Sequence, residues 1–242
     1  MKKQIQLMVG LTFTLSLSGL FLQSVKAETA TEQETSTQFE LKGMILPSGS
    51  GGEEGPDGGT TVPVDLDSQF GFLFKPKKFD FGTIASLELG QPIKNQKVIN
   101  GNGAVGIGDT RGTHAGWTLT AQATPLEATA LNGNKVNLIG TITMDAAVKS
   151  VSYNPQSSPS YQLEAVKDEP QQPSLVGSTL SLLMGGAETA IMTADAGKGE
   201  GMWGAELSNI SLSAQGSQTG SLVAGDYGGT IVWKLNATPS QN

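Results

Sequence analysis

The run from Trp117 to Thr124 (WTLTAQAT) alternates apolar and polar residues with a period of two. It sets Trp117, Leu119, Ala121 and Ala123 on one face and Thr118, Thr120 and Gln122 on the other. Successive side chains of a strand point to opposite faces, so this pattern predicts a half-buried strand. Further runs of β-type residues recur along the chain: Val136 to Met144, Val148 to Tyr153, Ser178 to Met184, Thr189 to Thr193, Met202 to Leu207 and Ile210 to Ala214. Phe79 to Ile84 (FDFGTI) places Phe79, Phe81 and Thr83 together, and Thr230 to Ala237 does the same for Ile231, Trp233 and Leu235. The last run holds no proline before Pro239, so it is expected in the interior of a sheet. Upstream, Gln38 to Leu46 (QFELKGMIL) alternates well enough for a first strand.

Between these runs lie turn clusters. Asn100 to Gly108 and Gly112 to Gly116 read as glycine-rich turns, and Asn154 to Pro173, with four prolines, reads as a loop. Pro47 to Pro63 is dominated by Gly, Ser, acids and Pro and is expected to be a surface loop or linker. Beyond the N-terminal segment, apolar residues do not recur at the three-and-four spacing of a helix. Many short strands with frequent turns predict an all-β fold: an antiparallel β-sandwich with Greek-key-like connections and long Gly/Pro-rich loops.

The N-terminus sets the compartment. Lys2-Lys3 precedes an apolar stretch from Leu7 to Leu22, and Val25-Lys26-Ala27 offers the small residues that a signal peptidase reads. Residues 1–27 are therefore expected to be a cleaved signal peptide, followed by a short polar leader (28–36) and one β domain (37–242). The apolar stretch falls short of the roughly 20 residues of a membrane-spanning helix, and hydroxyls interrupt it. Cleavage would remove three lysines and no acid, leaving 12 bases against 22 acids and a formal charge of −10. Such a surface argues against nucleic acid, which needs basic contacts to phosphate, and against simple attraction to anionic wall polymers or lipids. Binding is then expected to rest on hydrogen bonds, apolar contacts and stacking. With no cysteine, neither disulfides nor thiolate metal sites are available.

Two of the three tryptophans sit in the same local pattern, Trp117-Thr118-Leu119 and Trp233-Lys234-Leu235. In a strand each Trp lies beside its Leu. Two readings follow: indoles packed in a core, where each buries about 150–250 Å², or aromatic platforms that grip sugar rings or stem peptides. Arg111 is the only arginine. Two roles are open to it, bidentate capture of a ligand carboxylate or an internal pair with Asp109 or another acid that fixes the turn before Trp117. His114 is the only histidine, so a multi-histidine metal site is excluded and a nucleophilic triad would depend on that one base. Glu53-Glu54 and Asp65-x-Asp67 lack the spacing of a calcium loop. No metal, cofactor or catalytic residue is expected.

Four segments in order resemble the WxL family of Gram-positive surface proteins: Phe79 to Ile84, Asp109 to Leu119 (DTRGTHAGWTL, with His114 where Gly is usual), Ala194 to Trp203, and Tyr227 to Pro239. The resemblance covers most of the chain after the signal. It implies non-covalent attachment to peptidoglycan, a location at the cell-wall surface and partnership with other surface proteins of the same cells. Trp117, Leu119, Trp233 and Leu235 are then the family-motif and candidate binding residues, with Arg111 and Trp203 as lesser candidates. Other readings are an adhesin for host or matrix ligands and a wall hydrolase built on paired carboxylates.

Overall fold

A computed structural model describes residues 44–238 except Ser86 and Asp168. The expected signal peptide, the leader and most of the strand expected at Gln38 to Leu46 lie outside the described residues. Fourteen strands run in chain order. They are β1 (Gly59–Thr61), β2 (Phe70–Pro76), β3 (Ile93–Lys97), β4 (Gly103–Asp109), β5 (Trp117–Ala123), β6 (Leu126–Thr129) and β7 (Lys135–Leu138). They continue as β8 (Thr141–Tyr153), β9 (Tyr161–Glu164), β10 (Ser174–Leu175), β11 (Thr179–Leu183), β12 (Thr189–Ala194), β13 (Gly201–Ala214) and β14 (Ile231–Ala237). Helical structure among the described residues is confined to two 3₁₀ turns and one α turn at Gly216–Thr219. None is long and apolar enough to cross a membrane.

The strands form an antiparallel sandwich. The large sheet has the order β1-β2-β4-β13-β8-β11, with β3 also paired to β13 and β9 to β8. The small sheet has the order β10-β12-β5-β14, and β6 and β7 make a separate hairpin. The main core lies between the sheets and includes Ile107, Trp117, Leu119, Met144, Leu182, Ile191, Trp203 and Leu207, all nearly or fully excluded from solvent. A second cluster, with Leu46, Leu73, Phe74, Val151 and Tyr161, covers the opposite face of the large sheet.

That second cluster corrects the reading of Asn100 to Gly108. Residues 103–109 are not a turn but β4, buried at all seven positions. Both faces are covered, so the strand shows no polar alternation. Its glycines serve as gaps for larger neighbours. A Cβ on Gly103 would lie 2.8 Å from Phe79 Cε1, and Cβ atoms on Gly106 and Gly108 would overlap the Phe74 ring and the Leu46 side chain. Leu46 itself is buried, but residues 44–46 form no strand; its N–H donates to Ser68 O at 2.8 Å.

Other boundaries also move. The two runs expected at 202–207 and 210–214 are one strand, β13, with a bulge between Ser208 and Ser211 where Asn209 takes φ 50°. A bulge inserts unpaired residues and breaks the period, and so one strand reads as two. Asp145 holds this irregularity, accepting from Asn209 Nδ2 at 2.9 Å and from Thr179 Oγ1 at 2.8 Å. Val136 to Met144 instead spans two strands, β7 and the start of β8, parted at Ile139-Gly140. The loop expected at Pro47 to Pro63 contains β1, and the one at Asn154 to Pro173 contains β9. FDFGTI forms no strand, and Gly82 within it takes φ 69°. The final strand, β14, sits at the edge of the small sheet rather than in its interior, with β5 its one strand partner among the described residues.

The close approach at β4 yields a test. Gly106→Ala places a methyl group against the Phe74 ring, and overpacking of this kind costs about 1–3 kcal/mol. Urea denaturation of the variant is expected to show that loss, with an unchanged m-value.

Candidate functional site

The two Trp-x-Leu segments are hydrogen-bonded neighbours. Strand β14 runs antiparallel to β5, with Leu235 opposite Leu119, Trp233 opposite Ala121 and Ala237 opposite Trp117. The shared pattern is therefore Trp-x-Leu-x-Ala in both strands. Antiparallel pairing about the central Leu-Leu contact sets each indole across from the other strand's alanine. Directly opposed residues share a face, and a methyl beside a bicyclic ring leaves that ring room to lie flat on the core. Ala121 and Ala237 are thus part of the arrangement. Their signal was present in the sequence as the residue two beyond each Leu.

The two indoles have different surroundings. Trp117 is fully buried, flanked also by Ala194 of β12, and its Nε1–H donates to Gly199 O at 3.0 Å. Leu119 is equally buried. Trp233 and Leu235 pack against the same core but stay half-buried, because no strand follows β14 among the described residues. The outward face of this pair is polar: Thr120 Oγ1 donates to Glu188 at 3.2 Å, and Lys234 pairs with the same carboxylate. The hydrogen bond from Lys234 holds the Glu188 carboxyl below its ordinary range.

Trp233 forms one wall of a groove of about 1200 Å³. Phe79 and Phe81 of the unpaired FDFG segment and Tyr227 are its other aromatic lining residues, among many aliphatic ones such as Leu126. The segment is held in place by polar bonds. Lys78 donates to Asp80 Oδ2 at 2.6 Å, Gly82 N–H to Asp80 Oδ1 at 2.9 Å, and Asp80 N–H to Asn100 Oδ1 at 2.9 Å. Gln96 Nε2 reaches Phe81 O at 2.7 Å. The bond from Lys78 leads the causes that depress the Asp80 carboxyl. Across the groove the Tyr227 hydroxyl is tied to the backbone of Val223, both accepting from its N–H and donating to its carbonyl at 3.0 Å. The Tyr227 hydroxyl is thus engaged within the protein while its residue lines the groove.

Arg111 is paired internally. Its Nε and Nη2 reach Asp109 Oδ1 and Oδ2 at 2.9 and 2.7 Å, Nη2 also reaches Gly116 O at 3.3 Å, and the guanidinium lies 3.9 Å from the centroid of Phe70. Asp109 is 2% exposed, so the guanidinium compensates a buried carboxylate. The hydrogen bond to Asp109 is the main cause raising the Arg111 pKa. Gly116, at φ 81°, packs directly against Ala194 O, where no side chain fits. His114 takes φ 52°, a left-handed conformation that glycine adopts without strain. That accounts for glycine being usual in this position of the resembled stretch. Its backbone N–H donates to Glu200 Oε1 at 3.2 Å. Trp203 is buried on β13, with Nε1–H donating to Glu200 O at 2.9 Å, and belongs to the core. No group of three potential metal ligands occurs among the described residues.

A family model described as the WxL domain, surface cell wall-binding, matches residues 46–239. The chain belongs to the WxL family. The match spans both Trp-x-Leu strands, the groove and the Arg111 turn, so the WxL domain here includes nearly all the described residues. No curated protein and no solved structure matches the chain significantly.

The difference between the indoles is measurable. Trp117→Ala removes a fully buried ring and is expected to cost about 3–5 kcal/mol in chemical denaturation. Trp233→Ala, at a half-exposed edge, should cost roughly half as much and leave the protein folded at 25 °C. Arg111→Ala strands the buried Asp109 carboxylate and should cost about 3 kcal/mol, most of it recovered when Asp109→Asn is added to the same chain.

Proposed function

We propose that this WxL protein is exported, loses residues 1–27 and docks non-covalently on peptidoglycan as a component of a surface protein assembly, its mature part being a leader (28–36) and one domain (37–242). Family membership supports the wall as the place of action. Trp233 carries the choice of contact surface. It is the one motif tryptophan left half-buried, and it stands in a groove lined also by Phe79, Phe81 and Tyr227. Aromatic faces stack on the apolar faces of sugar rings or on apolar parts of a peptide, and such contacts need no net positive charge on the protein. In this reading Trp117, Leu119 and Leu235 hold the sheet that positions Trp233, while Arg111 and Trp203 hold the neighbouring turn and core.

A binding role fits better than a hydrolytic one. The motif side chains are apolar, and the sole histidine lies on a turn outside the groove lining. Wall-protein families of this kind act in general as adhering domains, and the partner proteins would meet the wall-bound domain on its remaining surfaces.

The test is co-sedimentation of residues 28–242 with purified peptidoglycan, comparing wild type, Trp233→Ala and Thr118→Ala, the last an outward change on the polar face of β5. Wild type and Thr118→Ala are expected in the pellet, with Trp233→Ala at least tenfold weaker while its melting transition stays cooperative. Retention of full binding by folded Trp233→Ala would remove the groove from the mechanism. Failure of wild type to sediment would remove peptidoglycan.

A further inference from the structure

The net charge of the mature chain hides an uneven distribution. Five of its 12 bases (Lys75, Lys77, Lys78, Lys94 and Lys97) fall within residues 75–97, against two acids, Asp80 and Glu88. Three of these lysines, Lys75, Lys77 and Lys78, line the groove that Trp233 closes. Lys78 is engaged by Asp80 at 2.6 Å. Lys75 and Lys77 have no acidic partner among the described residues, unlike Lys78, Lys135, Lys149, Lys167 and Lys234. The other acid in the lining is Asp226.

The lysines stand on a fixed base. Lys75 belongs to β2, where its backbone pairs with Thr60 of β1. The chain just after it is anchored where Asn100 Nδ2 donates to Lys78 O at 2.7 Å and Asp80 N–H to Asn100 Oδ1 at 2.9 Å. Two unpaired ammonium groups therefore stand at one rim of an aromatic groove whose walls are already tethered. A local positive field attracts an anion even on a protein of opposite net charge once salt screens the distant acids over about 8 Å.

Resting on the wall-binding reading, we infer that the groove takes a glycan strand whose stem peptides carry free carboxylates. The sugar faces would lie on Phe79, Phe81, Tyr227 and Trp233, and the carboxylates at Lys75 and Lys77. The aromatic lining selects this source over a polyol phosphate, the other polyanion of such walls, because a linear polyol phosphate has no ring face to stack. The lysines make the site selective for the ionised form: amidation of the stem carboxylates removes the charge they recognise and leaves the stacking intact.

The experiment uses residues 28–242 and peptidoglycan freed of phosphate polymers with hydrofluoric acid, half of it amidated with carbodiimide and ammonia. Four proteins are compared at 50 and 500 mM sodium chloride: wild type, Lys75→Glu/Lys77→Glu, Trp233→Ala, and Lys167→Glu/Lys198→Glu as a control for total charge. At 50 mM salt the groove double variant is expected to bind untreated wall about tenfold more weakly than wild type, the effect of two exposed lysine–carboxylate pairs, with the control within about twofold. Amidation should weaken wild type by a similar factor and should not weaken the groove variant, whose glutamates it frees from repulsion by the carboxylates, and 500 mM salt should shrink both differences. If the groove variant binds like the control, or wild type does not distinguish amidated wall, carboxylate recognition is wrong; loss of binding by Trp233→Ala in that same series would leave the wall-binding reading standing. If neither Trp233→Ala nor the lysine pair matters while wild type still sediments, the groove is not the site and the carboxylate inference fails; if wild type does not sediment at either salt, the wall-binding reading fails with it. Binding that disappears with hydrofluoric acid treatment would assign the polyol phosphate and overturn the inference.

Discussion

The small sheet depends on one register. Leu119 and Leu235 meet at its centre, and this places Trp117 against Ala237 and Trp233 against Ala121. A slip of β14 by one residue would turn Trp233 and Leu235 to solvent, because side chains alternate with a period of two. A slip by two in one direction would set Trp233 against Leu119 and Leu235 against Trp117 and crowd the face that packs on the large sheet; in the other it would break the Leu-Leu contact. The Trp-x-Leu-x-Ala pattern thus fixes chain pairing between segments far apart in sequence, and it does so by volume as well as by hydrophobicity. The Nε1–H of Trp117, satisfied by Gly199 O, adds the one polar contact that the buried ring requires.

The large sheet obeys a different constraint. It is covered on both faces, by the small sheet on one side and by Leu46, Phe74, Tyr161 and their neighbours on the other. Its strand β4 answers with glycine, since rings from the flanking layer occupy the space where side chains would be. At the end of β4 the buried Asp109 carboxylate is compensated by Arg111, whose guanidinium also reaches Gly116 O and lies over Phe70. This one side chain ties the large sheet to the turn that starts β5. It links the two halves of the sandwich at the point where the first Trp-x-Leu strand begins.

Position in the sheet separates the roles of two similar motifs. Strand β5 lies between β12 and β14, so its tryptophan is enclosed; β14 is an edge, so its tryptophan faces a groove. The FDFG segment does not pair as a strand but lies along that opening, held by Asp80, Gln96 and Asn100. An exposed edge strand invites unwanted pairing. Here Lys234, paired with Glu188 on the outer face, places a charged group on that edge.

The sequence by itself determined the fold class, the strand character of β5, β11, β12 and β14, and the family, because period-two alternation and ordered motifs are local properties of the chain. It also held the two possible fates of each tryptophan and of Arg111. Only the tertiary structure decided how deeply each is buried and what it pairs with inside the protein. Burial of Trp117 and half-burial of Trp233 follow from the order of strands in the small sheet, and the pairing of Arg111 follows from the burial of Asp109, neither of which a local pattern encodes. The glycines of β4 resembled a turn for the same reason: the rings that fill their empty faces come from Phe74 and Phe79, residues outside the strand. Net charge was legible from composition, but the lysines of the groove rim became a feature only when folding set them beside aromatic rings distant in sequence.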